Sequence, residues 1–195
     1  TVGAEHPCGG AQRLLIVGGV AGGASCAARS RRLSEEASIT VFDRGPYVSF
    51  ANCGLPYYVG DVIRDEQDLL VATPQLFADR FRIDIRCRHE VLAIDRQAQV
   101  VRVRDLQAGR EYEEPYDSLV LAPGAAPVRP PLPGIDLPGI FALRSIPDSR
   151  HIREWIDAKK ATRAVIVGGG FIGLEMTENL VHRGLSVTLI EKLPQ

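Results

Sequence analysis

The chain has 195 residues, 23 basic and 24 acidic side chains, and a formal net charge of −1. Apolar residues make up 45% and charged residues 24%, which excludes a disordered chain and fits one large globular domain or two small ones. The balanced charge argues against a protein held by nucleic-acid phosphates, and no run approaches the roughly 18 apolar residues of a membrane-spanning helix.

Residues 1–12 have neither a basic start nor an apolar core, so they do not read as a secretory signal. They lack an initiator Met, which points to a trimmed end or a fragment. RLLIV at 13–17 is a short apolar run, as expected for a parallel strand buried on both faces. A glycine turn (18–23, GGVAGG), a helix rich in Ala, Arg and Leu (24–34) and a strand (38–43, SITVFD) follow. Together they make a βαβ unit. Residues 44–60 read as a loop leading into a short helix at 54–59. Residues 69–80 read as helical, with a fresh start near Thr73-Pro74, an N-cap followed by an N1 proline. Weak alternation at 89–95, 99–105 and 110–114 predicts an antiparallel meander, and 118–122 another strand. The stretch 123–138 (PGAAPVRPPLPGIDLP) reads as a semi-rigid linker. A helix is expected at 151–158. Then the opening pattern repeats: a strand at 163–167 (RAVIV), a turn at 168–173 (GGGFIG), a helix at 174–183 and a strand at 185–191.

The repeat is the chemically informative feature. Gly168, Gly170 and Gly173 satisfy G-x-G-x-x-G between a strand and a helix. The spacing gives a tight turn, a close backbone approach to a pyrophosphate and close helix–strand packing. The helix N-terminus adds unpaired N–H groups and partial positive charge. Glu191 ends the next strand, where a carboxylate accepts hydrogen bonds from an adenosine ribose. A 2′-phosphate there would meet negative charge, so NADH is favoured over NADPH. The first turn keeps Gly18 and Gly23 but carries Val20 in the middle, and Asp43 closes its second strand. Two such turns imply two dinucleotides, and hydride transfer is the usual reason to hold two.

Four cysteines, Cys8, Cys26, Cys53 and Cys87, include no Cys-x-x-Cys pair, so neither a zinc knuckle nor a two-cysteine redox motif is present. The expectation is reduced thiols in a cytoplasmic protein. Cys53 precedes the short helix, whose N-terminal partial charge favours a thiolate. Cys26 and Cys87 read as packing and Cys8 as a bystander in the tail. The four histidines lack metal-ligand spacing, and no metal is expected. Ser25, Arg29 and Arg32 are spaced four and three apart and share one helix face, where guanidinium groups suit phosphates.

The motifs GGVAGGAS, SFANCGLPYY, YDSLVLAPGA and VIVGGGFIGLE resemble the pyridine nucleotide-disulfide oxidoreductases, and within them the single-cysteine branch of coenzyme A-disulfide reductases, NADH oxidases and NADH peroxidases. The resemblance implies an α/β fold: a Rossmann-like FAD-binding domain with an antiparallel meander (13–125), a linker (126–145) and a truncated Rossmann-like NAD(P)-binding domain (146–195). It puts FAD on Gly18, Val20, Ala21, Gly22, Gly23, Asp43, Arg44 and Asn52, with Val91 and Ala122-Pro123-Gly124 near the FAD adenosine. NADH (or NADPH) falls to Gly168, Gly170, Phe171, Ile172, Gly173 and Glu191. Cys53 becomes the catalytic sulfur against the flavin. With Val48 and no other cysteine in 44–60, its sulfur partner is external or it cycles through sulfenic acid. Oxidase and peroxidase members carry a His where this chain has Ala21. Coenzyme A-disulfide reductases have Ala there, and in them the face of Ser25, Arg29 and Arg32, with Ser49 and Asn52, contacts coenzyme A. Phe81 stands where some relatives carry a substrate-binding lysine, flanked by Arg80 and Arg82. The implied activity is NAD(P)H-driven reduction of coenzyme A disulfide or related per- and polysulfides. The alternatives are an oxidase or peroxidase using a sulfenic acid, and a flavin reductase serving a protein partner. Neither nucleic acid nor membrane is expected as a partner. The chain is expected to be the N-terminal part of a longer protein that dimerises through a C-terminal domain.

Overall fold

The computed structural model describes residues 11–194; Cys8 and His6 lie outside them. In chain order the elements are β1 (Arg13–Val17), α1 (Gly22–Leu33), β2 (Ser38–Asp43), α2 (Leu55–Val59), α3 (Pro74–Phe81), β3 (Asp84–Cys87), β4 (His89–Asp95), β5 (Val100–Asp105), β6 (Arg110–Pro115), β7 (Ser118–Leu121), α4 (Ile146–Lys159), β8 (Arg163–Val167), α5 (Phe171–His182) and β9 (Ser186–Ile190), with 3-10 turns at Asn52–Gly54 and Glu66–Leu69. The chain forms two compact units. One takes the described residues up to Ser49 and Ala72–Gly124. The other takes Phe50–Val71 and the described residues from Ala125 on.

The first unit is a four-stranded parallel sheet in the order β3-β2-β1-β7, with a separate antiparallel meander β4-β5-β6. Successive strand residues point to opposite faces, and the apolar runs use both. Ile16, Ile39 and Val41 face α1 and α3 in one core with Ala24, Ala27, Phe77 and Ile83. Leu15 and Phe42 face the meander, packing with Val101, Val103 and Tyr116. The small residues Ala24 and Ala27 let α1 lie close on the strands.

The second unit holds the parallel pair β8-β9. Ile166 and Val187 pack with α4, α5 and α2 around Val59, Ile152, Ile156, Met176 and Leu180. Val165, Val167 and Ile190, on the opposite face of the pair, are exposed.

Three elements differ from the sequence reading. The expected helix at 69–80 is broken. Asp65 accepts from the Gln67 N–H to cap a separate 3-10 turn, and Thr73 Oγ1 accepts from the Leu76 N–H to start α3. The residue before a proline is pushed out of helical geometry, so the restart wins. Helix α4 begins five residues earlier than residue 151, because Ser145 donates its N–H and hydroxyl to Asp148 and Pro147 suits the first turn. Strand β3 has no expected counterpart. It is four residues long and its pattern is supplied by pairing with β2.

Candidate functional site

The two glycine turns are built alike. At the first, the Gly18 N–H donates to the Phe42 carbonyl at 2.7 Å and the Gly19 N–H to Asp43 Oδ2 at 2.8 Å. At the second, the Gly168 N–H donates to the Ile190 carbonyl at 2.8 Å and the Gly169 N–H to Glu191 Oε2 at 2.6 Å. Gly18 and Gly168 have φ of +96° and +109°, a region closed to most L side chains. A Cβ on Gly23 would lie 1.7 Å from the Gly18 carbonyl oxygen, and one on Gly173 2.0 Å from that of Gly168. In both turns the last glycine lets the helix start press on the strand end. Neither α1 nor α5 has a side-chain cap or an acid in its first turn, which leaves helix N–H groups for an anion.

The acids serve two roles. Asp43 Oδ1 also accepts from the Gly45 N–H at 2.8 Å. Glu191 is exposed, and the N–H groups of Leu193, Gly169 and Lys192 hold its carboxyl below the usual carboxylate range. Each carboxylate therefore shapes its turn and keeps a lone pair open to a further hydroxyl donor. The turns differ in surroundings. Ala122 follows β7 and donates its N–H to the Val17 carbonyl at 2.7 Å. It reaches the first turn so closely that a Cβ on Gly18 would lie 2.0 Å from its oxygen. Positions 100 residues apart, Gly22 and Ala122, thus meet. Around Gly168 and Gly170 a Cβ would find open space. Val20 is half-buried and Ala21, Gly22 and Arg44 are exposed in the first turn; Phe171 and Ile172 are exposed in the second. Val91 lies on β4, partly buried against the meander core. The backbone clearances and terminal acids fit a dinucleotide at each turn.

On α1, Ser25, Arg29 and Arg32 are all exposed on one face. Neither Arg29 nor Arg32 forms an ion pair or side-chain hydrogen bond among the described residues. Their neighbour Arg31 is the opposite case. It is buried, and its guanidinium donates to the carbonyls of Phe81, Ser34, Glu35 and Arg82. One helix thus carries a structural arginine and two available ones. Ser49 adopts a φ of +46° and donates its N–H to the Gly19 carbonyl at 2.9 Å.

In the second unit, Cys53 is exposed at the middle of the 3-10 turn that leads into α2. The Ala51 N–H donates to the Leu69 carbonyl at 2.8 Å. A Cβ on Gly54 would lie 2.8 Å from Leu69 Cδ2, so the turn is seated closely on Leu69. Asn52 Oδ1 is buried without a hydrogen-bond partner among the described residues, an orphaned acceptor of the kind that a ligand donor satisfies. Cys26 and Cys87 pack partly buried against the first unit's core. Burial, with Asp43 adding to it, pushes the Cys87 thiol up to about 11.

Sequence reasoning missed the arginines that hold the Cys53 segment. Arg150 on α4 forms a two-pronged pair with Glu66 at 2.7 and 2.6 Å. Arg153 pairs with Asp61, and Arg183 donates to the Val59 carbonyl. These partners lie 84 to 124 positions apart, beyond any local pattern.

Known proteins match this chain in sequence and fold over nearly its whole length. A coenzyme A disulfide reductase of Staphylococcus haemolyticus is 42% identical over 181 residues, 93% of this chain and 40% of that protein. The crystal structure of reduced Bacillus anthracis CoADR-RHD is 50% identical with a TM-score of 0.91, covering 93% of this chain and 33% of that one. A NAD-dependent persulfide reductase from A. fulgidus is 37% identical with a TM-score of 0.87, covering 91% and 34%. The chain spans about 40% of the length of the curated relatives it matches. The family model for the pyridine nucleotide-disulphide oxidoreductases, whose members bind FAD and NAD(P)H, matches residues 12–195. The chain belongs to that family.

Proposed function

We propose that the protein is a flavin-dependent, NAD(P)H-driven reductase of coenzyme A disulfide or a related per- or polysulfide, with Cys53 as its single redox sulfur. The observation that carries this reading is an exposed cysteine, with no second cysteine in its segment, in a chain that holds two dinucleotide-shaped turns. FAD would occupy the turn at 18–23 with Asp43, and NADH the turn at 168–173 with Glu191. Bound FAD supplies a two-electron relay between reduced nicotinamide and sulfur. The thiolate of Cys53 attacks one sulfur of the disulfide, a mixed disulfide forms, and the first thiolate leaves. Two electrons then cleave the mixed disulfide, restore the Cys53 thiolate and release the second thiol. The balance is one disulfide, one NADH and one proton to two thiols and NAD+. Arg29 and Arg32 bind the phosphates of coenzyme A, and the orphaned Asn52 Oδ1 accepts from a ligand donor. Free thiols in the described residues suit a reducing, cytoplasmic setting, and a homodimeric parent follows from the resemblance.

The test is anaerobic NADH oxidation by the intact protein on adding coenzyme A disulfide. Disulfide-dependent turnover that falls at least a hundredfold in Cys53→Ser is the expected result. Fast oxygen or peroxide turnover without disulfide-dependent NADH consumption would overturn the reading in favour of an oxidase. Unchanged reduction of the acceptor by Cys53→Ser would overturn the thiol chemistry.

A further inference from the structure

Segment 50–71 is held by short local turns and by donors from distant elements. Helix α2 has five residues, well short of the ~12–15 at which a helix persists alone. Its final carbonyls have no partner within the helix. Local N–H groups reach three of them, Gly60 to Pro56, Val62 and Ile63 to Tyr57, and Asp61 to Tyr58 at 3.3 Å; two arginines from distant elements add a donor at the Tyr58 carbonyl and one at the Val59 carbonyl. Arg153, on α4, donates through Nη1 to the carbonyls of Tyr58, Ile63 and Arg64, each at 3.3 Å, and through Nη2 to Asp61 Oδ1 at 2.5 Å. Its guanidinium carbon lies 4.6 Å from the centre of the Tyr58 ring. Arg183, just past α5, donates through Nη1 to the Val59 carbonyl at 2.7 Å and through Nη2 to Asp157. Between these caps, a Cβ on Gly60 would lie 2.6 Å from Asn179 Oδ1, so the end of α2 is pressed onto α5. Cations at a helix C-terminus also favour its dipole.

The other end of α2 carries the sulfur. Cys53 lies two residues ahead of Leu55, and the Leu55 N–H donates to the Asn52 carbonyl, so the cysteine turn and the helix are one continuous backbone. Fraying or rotation of α2 would move the sulfur.

We infer that Arg153 and Arg183 are positioning residues for Cys53: by capping the C-terminal end of α2 from α4 and the end of α5, they fix the turn on which the sulfur sits. The inference rests on Cys53 being the redox sulfur, but its test does not depend on turnover, so the two can fail separately. A nitroxide is attached to Cys53 in the chain with Cys8, Cys26 and Cys87 replaced by Ala. Its paramagnetic-resonance line shape is compared among the parent, Arg153→Gln, Arg183→Gln and Arg153→Lys, well below each variant's melting temperature. Peptide-resolved hydrogen exchange is measured on the same substitutions in the unlabelled chain. The immobile spectral component is expected to fall by at least half in the Gln variants, and less in Arg153→Lys, which keeps charge beside Asp61 but loses the fork. Amides of 51–59 should exchange at least tenfold faster, with β4 and β5 unchanged. If the Gln variants do not fold, Arg153→Lys alone decides. An unchanged line shape in folded variants, or faster exchange spread evenly over both units, overturns the inference, because either shows a merely structural role.

Discussion

Cys53 and Cys87 show how surroundings separate two residues of one type, one open to solvent and one partly buried beside a carboxylate. Cys53 is exposed on a short turn. Cys87 sits on β3 opposite Asp43 in register, where burial and that carboxylate push its thiol to about 11. At pH 8 only a small fraction of Cys87 is thiolate, and the thiolate is the nucleophile. Iodoacetamide at pH 8 is therefore expected to alkylate Cys53 at least tenfold faster than Cys87, measured by peptide mass spectrometry. Glu191 makes the complementary case among the acids. Its depressed carboxyl pKa means that its contribution to stability is present above the usual carboxylate range and is lost as pH falls through the folded value. Glu191→Gln removes that linkage. Its drop in melting temperature between about pH 7 and about pH 3.5 should be smaller than the parent's. An equal drop would show that the three N–H bonds do not favour the charged form.

At the scale of elements, α1 divides its arginines by face. Arg31 turns inward and satisfies carbonyls at the ends of α1 and α3, whereas Arg29 and Arg32 face outward unpaired. Arg29→Ala and Arg32→Ala should each raise the KM for coenzyme A disulfide roughly ten- to a hundredfold, as expected for a lost charge-assisted hydrogen bond of ~1.5–3 kcal/mol. The KM for a disulfide without phosphates should not change; an equal rise for both substrates would refute phosphate recognition. The outward spacing of Ser25, Arg29 and Arg32 was legible from the 3.6-residue period. Arg31 was not, because its partners Phe81 and Arg82 are about fifty positions away. The strand–glycine–helix–strand units were legible for the same reason as the outward face: their signals are short-range. Helix α4 was only half legible, since its capping box to Asp148 starts at Ser145, the last residue of what reads as linker.

At the scale of the molecule, the second unit is discontinuous in sequence, combining Phe50–Val71 with the residues after Ala125. By chain order, 50–71 reads with the first nucleotide turn. Its apolar residue Val59 instead packs with α4 and α5, and Arg150, Arg153 and Arg183 bind it there. Limited chymotrypsin cleavage at Phe141, exposed between the proline-rich stretch and α4, is therefore expected to leave both fragments co-eluting in gel filtration without denaturant. Separation of the fragments would show that this packing is too weak to hold the unit.

The sequence by itself determined the two βαβ openings, their glycine turns and terminal acids, the meander, the exposed face of α1 and the lone character of Cys53. Each rests on dihedral preference, hydrophobic period or charge spacing within some thirty residues. Only the tertiary structure decided which unit receives segment 50–71, which arginine of α1 is buried, how Ala122 closes on Gly18 and what caps α2. Those outcomes depend on carbonyls that need donors and on side chains that need partners, and the partners are brought together by folding from positions 50 to 124 apart.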